Sequence, residues 1–345
     1  MPKRIRRSSS IVVAALAVLI ASQIVTSAAA AQSILDPVSP TAASLKRLYQ
    51  IVFVLGVTVF LLVEGLILYT AVRFRRRDGD GEPKQVHGSA KAEVAWTIAP
   101  AVVVLGLAAA SYGPLLEQRA APADALVVDV TGKQWFWEFA YPEAGVITAN
   151  ELVVPVGRAV RLRLASADVI HSFWAPQLGG KMDAIPGERQ GGHGRNEMWF
   201  RAEREGEYWG QCAELCGVQH AGMRFVVRAV PELEFTAWLA AQAAPAVEPA
   251  PGSLEAAGRD AIAGLACVGC HVIDGVEGMV GRVGPDLTHV GSRRHLAGAV
   301  FENTPENLAR WIDRPAEMKP GANMPALGLT PEQVEAITAY LLSLQ

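Results

Sequence analysis

The chain has 345 residues, enough for two or three domains, and its 51% hydrophobic content is gathered into runs rather than spread evenly. A formal net charge of -3 excludes the strongly basic balance of a nucleic-acid binder, so no nucleic-acid partner is expected.

The chain opens with a basic segment, MPKRIRRSSS, then the apolar run IVVAALAVLIA, too short to span comfortably, then the small residues of TSAAAAQ. That order predicts a cleaved signal peptide over 1–31, with a first membrane anchor as the alternative. Two longer runs, LYQIVFVLGVTVFLLVEGLILYTAV (48–72) and VAWTIAPAVVVLGLAAASYGPLL (94–116), each exceed the ~20 apolar residues that cross a bilayer's hydrocarbon. They predict a two-helix transmembrane hairpin within 32–120. RFRRR with Lys84 and Lys91 puts six basic residues in the short connection, which makes it cytoplasmic and sends everything after about residue 117 outside. Glu64 lies inside the first run, where an ionised carboxylate is costly; it is expected to be protonated or to face a helical partner subunit.

From 121 to 239 the pattern changes to short alternating runs. In RAVRLRLAS, Val160, Leu162 and Leu164 fall on one face and Arg161 and Arg163 on the other, the period of a half-buried strand. LVVDVTG, QWFWEFAYP, EMWFRAE and MRFVVRAV read similarly, which predicts a small β-sandwich. The Ala/Pro-rich stretch AAQAAPAVEPAPGS (240–253) has the composition of a tether. Residues 254–345 read as helices: TPENLARWIDRP and TPEQVEAITAYLLSLQ each place a Thr cap before a Pro, and Gln333 completes a capping box. Val334, Ile337, Leu341 and Leu344 form one apolar stripe on the last helix.

QCAELCGVQHAGM (211–223) carries the first concentration of chemistry. In an exported chain Cys212 and Cys216 could form a disulfide, or join a histidine in a zinc site. Neither needs the neighbouring thioether. Cys212, Cys216, His220 and Met223 form a C-x-x-x-C-x-x-x-H-x-x-M series on one loop, and thiolate, imidazole and thioether together suit copper. A mononuclear blue-copper site uses one thiolate, so this loop has one too many. If both thiolates bridge two ions they supply four bonds; His171, His220, Met223 and the Glu214 carbonyl bring the total to eight. Two four-coordinate coppers are then satisfied, no position is left for substrate, and electron relay is the chemistry implied.

The second cysteine pair, Cys267 and Cys270, lies in CVGCH with His271, the attachment pattern of a c-type haem; no βαβ pattern supports a thioredoxin-like reading. The second axial ligand should be a methionine. Met324 in PGANMPAL is the choice, with Met318 and Met279 as rivals.

The hairpin, the strand-rich domain, QWFWEFAYP, HSFWAPQLGGKMDAIPG and QCAELCGVQHAGM together resemble subunit II of a haem-copper cytochrome c oxidase. CVGCH, GPDLTHVGSR and NMPAL resemble the cytochrome c domain fused to that subunit in some bacterial oxidases. The resemblance covers nearly the whole chain. It implies a transmembrane α-helical hairpin, a cupredoxin-like β-sandwich and an all-α class I cytochrome c domain.

It further implies that His171, Cys212, Cys216, His220, Met223 and the Glu214 carbonyl hold the binuclear centre CuA, with the Glu214 side chain reaching a shared magnesium or manganese ion beside subunit I. Trp135 stands where the family receives electrons, and Phe136 where it commonly has Tyr. Glu93 matches the acid at the mouth of a proton pathway in subunit I, and Pro285 the residue whose carbonyl orients the haem's proximal histidine. The resemblance implies the terminal proton-pumping cytochrome c oxidase of a respiratory chain in the bacterial plasma membrane, with copper and haem domains on the periplasmic side. Its partners would be subunit I, subunit III, and cytochrome c or quinol-cytochrome c reductase as donor. A copper carrier, or a component of a nitric or nitrous oxide reductase, is the alternative class.

Overall fold

A computed structural model of the protein describes residues 33–82, 85–187 and 196–345; the expected signal peptide lies outside these, as does Lys84. The chain divides into two compact units, 43–120 and the remainder.

The first unit is helical. Helix α1, Pro40–Arg73, and helix α2, Ala90–Arg119, contain the two apolar runs and are long and apolar enough to cross a membrane, with mean hydropathies of 2.8 and 2.0. Ser89 caps α2, its hydroxyl accepting from the Ala92 amide, and Glu93 sits in the first turn, where a negative charge complements the helix dipole.

In the second unit, ten strands form two five-stranded sheets. The first has the order β3 (Val146–Ala149), β2 (Phe136–Tyr141), β1 (Leu126–Lys133), β5 (Val160–Ser166), β8 (Asn196–Phe200). The second runs β4 (Glu151–Pro155), β10 (Arg224–Val230), β9 (Gly206–Cys212), β6 (His171–Trp174), β7 (Met182–Ala184). The alternation in β5 is borne out: Val160, Leu162 and Leu164 are buried while Arg161 and Arg163 reach outward. Trp137, Phe139, Phe173, Phe200 and Phe225 fill the space between the sheets. Gly210 makes room for one of these rings; a Cβ there would lie 2.1 Å from Phe225 Cζ.

Helix α3, Glu232–Gln242, follows the sandwich and runs into the span expected to be linker; the chain then stays irregular to Ser253. It lies along the last domain, where the Ala246 amide donates to the Asp274 carbonyl at 2.9 Å. That domain comprises α4 (Leu254–Gly264), α5 (Pro305–Asp313), the short α6 (Pro315–Met318) and α7 (Pro331–Ser343). Both Thr caps form, on Thr304 and Thr330, the latter with its full capping box. Ile337, Leu341 and Leu344 of the apolar stripe are buried and Val334 is half-buried. The structure adds a two-stranded hairpin, β11 (His295–Leu296) and β12 (Phe301–Glu302), to this otherwise helical domain.

Candidate metal and haem sites

The copper-type ligands converge because β6 and β9 are neighbours in one sheet. Phe173 pairs with Cys212, which sets His171 two residues along β6 beside the end of β9. The loop that follows is closed at its neck by the Cys212 amide donating to the Met223 carbonyl at 2.9 Å, so Cys216 and the His220–Gly222 turn fold back over Cys212.

The sulfur atoms of Cys212 and Cys216 are 3.7 Å apart, far beyond a disulfide's ~2.05 Å, and all four cysteines are free thiols. His171 Nδ1 lies 3.9 Å from Cys212 Sγ, His220 Nδ1 3.6 Å from Cys216 Sγ, and Met223 Sδ 3.9 Å from Cys216 Sγ. The Glu214 carbonyl is 3.2 Å from Cys212 Sγ. One cluster therefore holds the expected donors. The side chain of Glu214 is exposed, beside the exposed Leu215 and Val218.

Several residues that the sequence reading did not single out hold this cluster. His171 Nε2 faces Asp168 Oδ1 at 2.7 Å, which leaves Nδ1 aimed at the sulfur atoms. Gly132, at the end of β1, gives the imidazole its room: a Cβ there would stand 2.7 Å from His171 Cδ2. Trp135 is half-buried, and its indole N–H donates to the Cys216 carbonyl at 3.0 Å, while Gln134 Nε2 donates to the same carbonyl at 2.7 Å. Asp168 could have been found from its place three residues before His171 in ADVIH; Gln134 and Gly132 leave no such signal.

Electrostatics favour one negative sulfur here. The Cys212 thiol is held down at about 3, first by the hydrogen bond from Cys216 and then by His171 and backbone amides, against the effect of burial. Cys216 is pushed up, first because its proton is the one shared with Cys212 and then by burial. Burial alone would lower His171, but Asp168 and Cys212 outweigh it and raise its affinity for protons. Asp168 is likewise lowered overall: burial raises it, and the bonds from His171, Gln134 and Val169 prevail. A cation held by both sulfur atoms would favour ionisation of the second thiol. A donor set of two thiolates, two imidazoles, a thioether and a carbonyl supplies the soft ligands for copper, and the residues present fit it.

In the last domain, Cys267, Cys270 and His271 occupy one tight turn, in which the Cys270 and His271 amides both donate to the Cys267 carbonyl. His271 Nδ1 donates to the Pro285 carbonyl at 2.8 Å, which fixes the tautomer and leaves Nε2 as the available ligand. Gly284 lies against that imidazole; a Cβ would be 2.5 Å from its Cε1. Burial lowers the proton affinity of His271, which favours the neutral form an iron ligand needs. Two free thiols beside a neutral, oriented imidazole fit a c-type haem. Met279 is buried in the domain core and Met318 ends α6, whereas Met324 is half-buried on the loop before α7.

Comparison with known proteins follows the same division. Residues 27–113 match the cytochrome c oxidase subunit II transmembrane domain, 144–230 its periplasmic domain, and 256–345 cytochrome c. Cytochrome c oxidase subunit 2 of Alkalihalophilus pseudofirmus is 35% identical over 90% of this chain and 90% of its own length. The chain belongs to the cytochrome c oxidase subunit II family. The subunit of the same name from Bacillus sp. strain PS3 is 36% identical over 79% of this chain and 80% of its own. The crystal structure of the periplasmic domain of subunit II of cytochrome oxidase from Bradyrhizobium japonicum has 38% identity, covering 36% of this chain and 96% of that one, with a TM-score of 0.33. As a subunit II with a cytochrome c domain, the protein is an oxidase subunit that carries copper and haem c and associates with other oxidase subunits at a membrane.

Proposed function

We propose that this subunit accepts electrons at a haem bound to Cys267, Cys270, His271 and Met324. It would relay them through a binuclear CuA held by His171, Cys212, Cys216, His220, Met223 and the Glu214 carbonyl to subunit I. The observation that carries the reading is the 3.7 Å separation of two unlinked sulfur atoms with an imidazole beside each. When bound, the copper pair and the haem each supply a one-electron redox couple. The residues around them orient and insulate: Asp168 fixes the His171 ring, Pro285 fixes the His271 ring, and the buried Met223 closes the copper loop against water.

Trp135 lies on the route by which current reaches copper, since its N–H bonds to the carbonyl of a ligand. Glu93, exposed at the start of α2, is the group proposed to feed protons to subunit I, and the Glu214 carboxylate to meet magnesium or manganese there. The wider setting proposed with these roles is a proton-pumping terminal oxidase of the bacterial plasma membrane, including subunit III, with cytochrome c or quinol-cytochrome c reductase as donor. The proposed divisions are a signal peptide over 1–31, a membrane hairpin over 32–120, a copper domain over 121–239, a linker over 240–253 and a haem domain over 254–345.

Metal and optical analysis of the purified chain tests this. Two coppers and one low-spin haem per chain are the expected result. One tightly held ion, or an S–S link between Cys212 and Cys216, would overturn it.

A further inference from the structure

Between the copper-type loop and the haem-type domain lies a seat built from buried charge. Lys319, directly after α6, is only 5% exposed. Its ammonium group donates to three carbonyls: Gly222 at 2.8 Å, Ala297 at 2.9 Å and Trp135 at 3.2 Å. An ammonium has three protons, so every donor is used. Gly222 lies between the ligands His220 and Met223, Trp135 is bonded to Cys216, and Lys319 begins the loop that carries Met324. One side chain thus ties the ligand-bearing loops of both domains together.

A buried carboxylate grips the hairpin that carries Ala297. Glu151 of β4 is 3% exposed, and its Oε1 accepts from the Arg294 and His295 amides at 2.6 and 2.8 Å. The β11–β12 hairpin that carries His295 turns through Ala297, Gly298 and Ala299, all with positive φ. Alanine is strained in that conformation and persists there where surrounding contacts enforce it. Those contacts come from the copper domain: the Arg224 amide donates to the Gly298 carbonyl at 3.0 Å, and a Cβ on Gly298 would stand 2.6 Å from the Gly222 carbonyl. Asn323 and Gln219 add bonds to the Gln134 and Pro320 carbonyls.

We propose that Lys319 is a positioning residue that seats the haem domain on the copper loop, so that the two redox sites of one chain face each other in a fixed register rather than meeting by diffusion on the linker. With both groups bound, an electron given up by the haem and taken up by copper would cross between these docked loops, with no bond made or broken. The direction of that current rests on the function proposed above; the docking does not.

The test uses the intact oxidase with Lys319→Met and, on the hairpin of the same domain that meets the copper loop, Gly298→Ala. Hydrogen exchange is read at the Arg224 and His295 amides, and transfer from photoreduced haem to copper is followed optically. Both amides are expected to exchange at least ~10-fold faster, in Lys319→Met from the loss of a charged hydrogen bond and in Gly298→Ala from a Cβ forced against the Gly222 carbonyl, and transfer to slow and become sensitive to viscosity while both optical signatures persist. Unchanged exchange and transfer in both variants would overturn the proposal. A wild-type chain without the two-copper signature would sink the functional reading instead, and the exchange data would still decide the docking.

Discussion

The indole of Trp135 and the backbone of Cys216 are joined by a hydrogen bond of 3.0 Å, which attaches an aromatic ring on the β1–β2 turn to a candidate metal ligand. Gln134 reinforces it on the same oxygen. Trp137 and Phe139, two and four residues on, are buried in the sandwich core, so this aromatic cluster divides between packing and the site.

Trp135→Phe keeps an aromatic ring and removes the N–H donor. It should cost about 1 kcal/mol of stability, the net worth of one such bond, while reduction of copper by haem slows. Chemical denaturation and stopped-flow absorbance measure the two; a fully retained rate would remove Trp135 from the route.

Asp168→Asn leaves the volume and takes the anionic acceptor from His171. Copper affinity should fall ~10–100-fold, the usual effect of losing such an outer partner, as measured by competition with a chelator.

The same pair sets a pH dependence in the metal-free chain. Asp168 is lowered in the folded state, so its contribution is present above the ordinary carboxylate value of about 4 and is lost as pH falls through the lowered one. His171 is raised, so its contribution is complete below about 6.5 and disappears as pH climbs through the raised value. Stability conferred by the pair should be greatest between these limits, and Asp168→Asn should flatten the profile in a series of melts.

Met223→Leu conserves volume in a fully buried position and should cost less than about 1.5 kcal/mol. The near-infrared and paramagnetic signature of the bound copper should nevertheless change. An identical spectrum would count against the thioether as a ligand.

Gly258 lies where α4 crosses α7, and a Cβ would be 2.0 Å from the Ala336 carbonyl oxygen. Backbone cannot move aside as a side-chain end can. Gly258→Ala should therefore destabilise the haem domain by roughly 1–3 kcal/mol, the range for overpacking, seen as a lower melting temperature of the haem absorbance.

The sequence by itself determined the elements and the ligand types. Apolar runs long enough for a bilayer, a strict two-residue alternation around Leu162, and the caps at Thr304 and Thr330 are local patterns, and local energetics make them legible without a fold. The spacing of Cys212, Cys216, His220 and Met223 could likewise be read as one loop. Only the tertiary structure decided what sits opposite those residues: Asp168 behind His171, Gly132 beneath its ring, Trp135 on Cys216, and Lys319 about a hundred residues beyond the loop it holds. An isolated lysine carries no periodic or motif signal. Its role arises when folding takes its ammonium out of water and leaves three carbonyls from distant segments as its remaining partners.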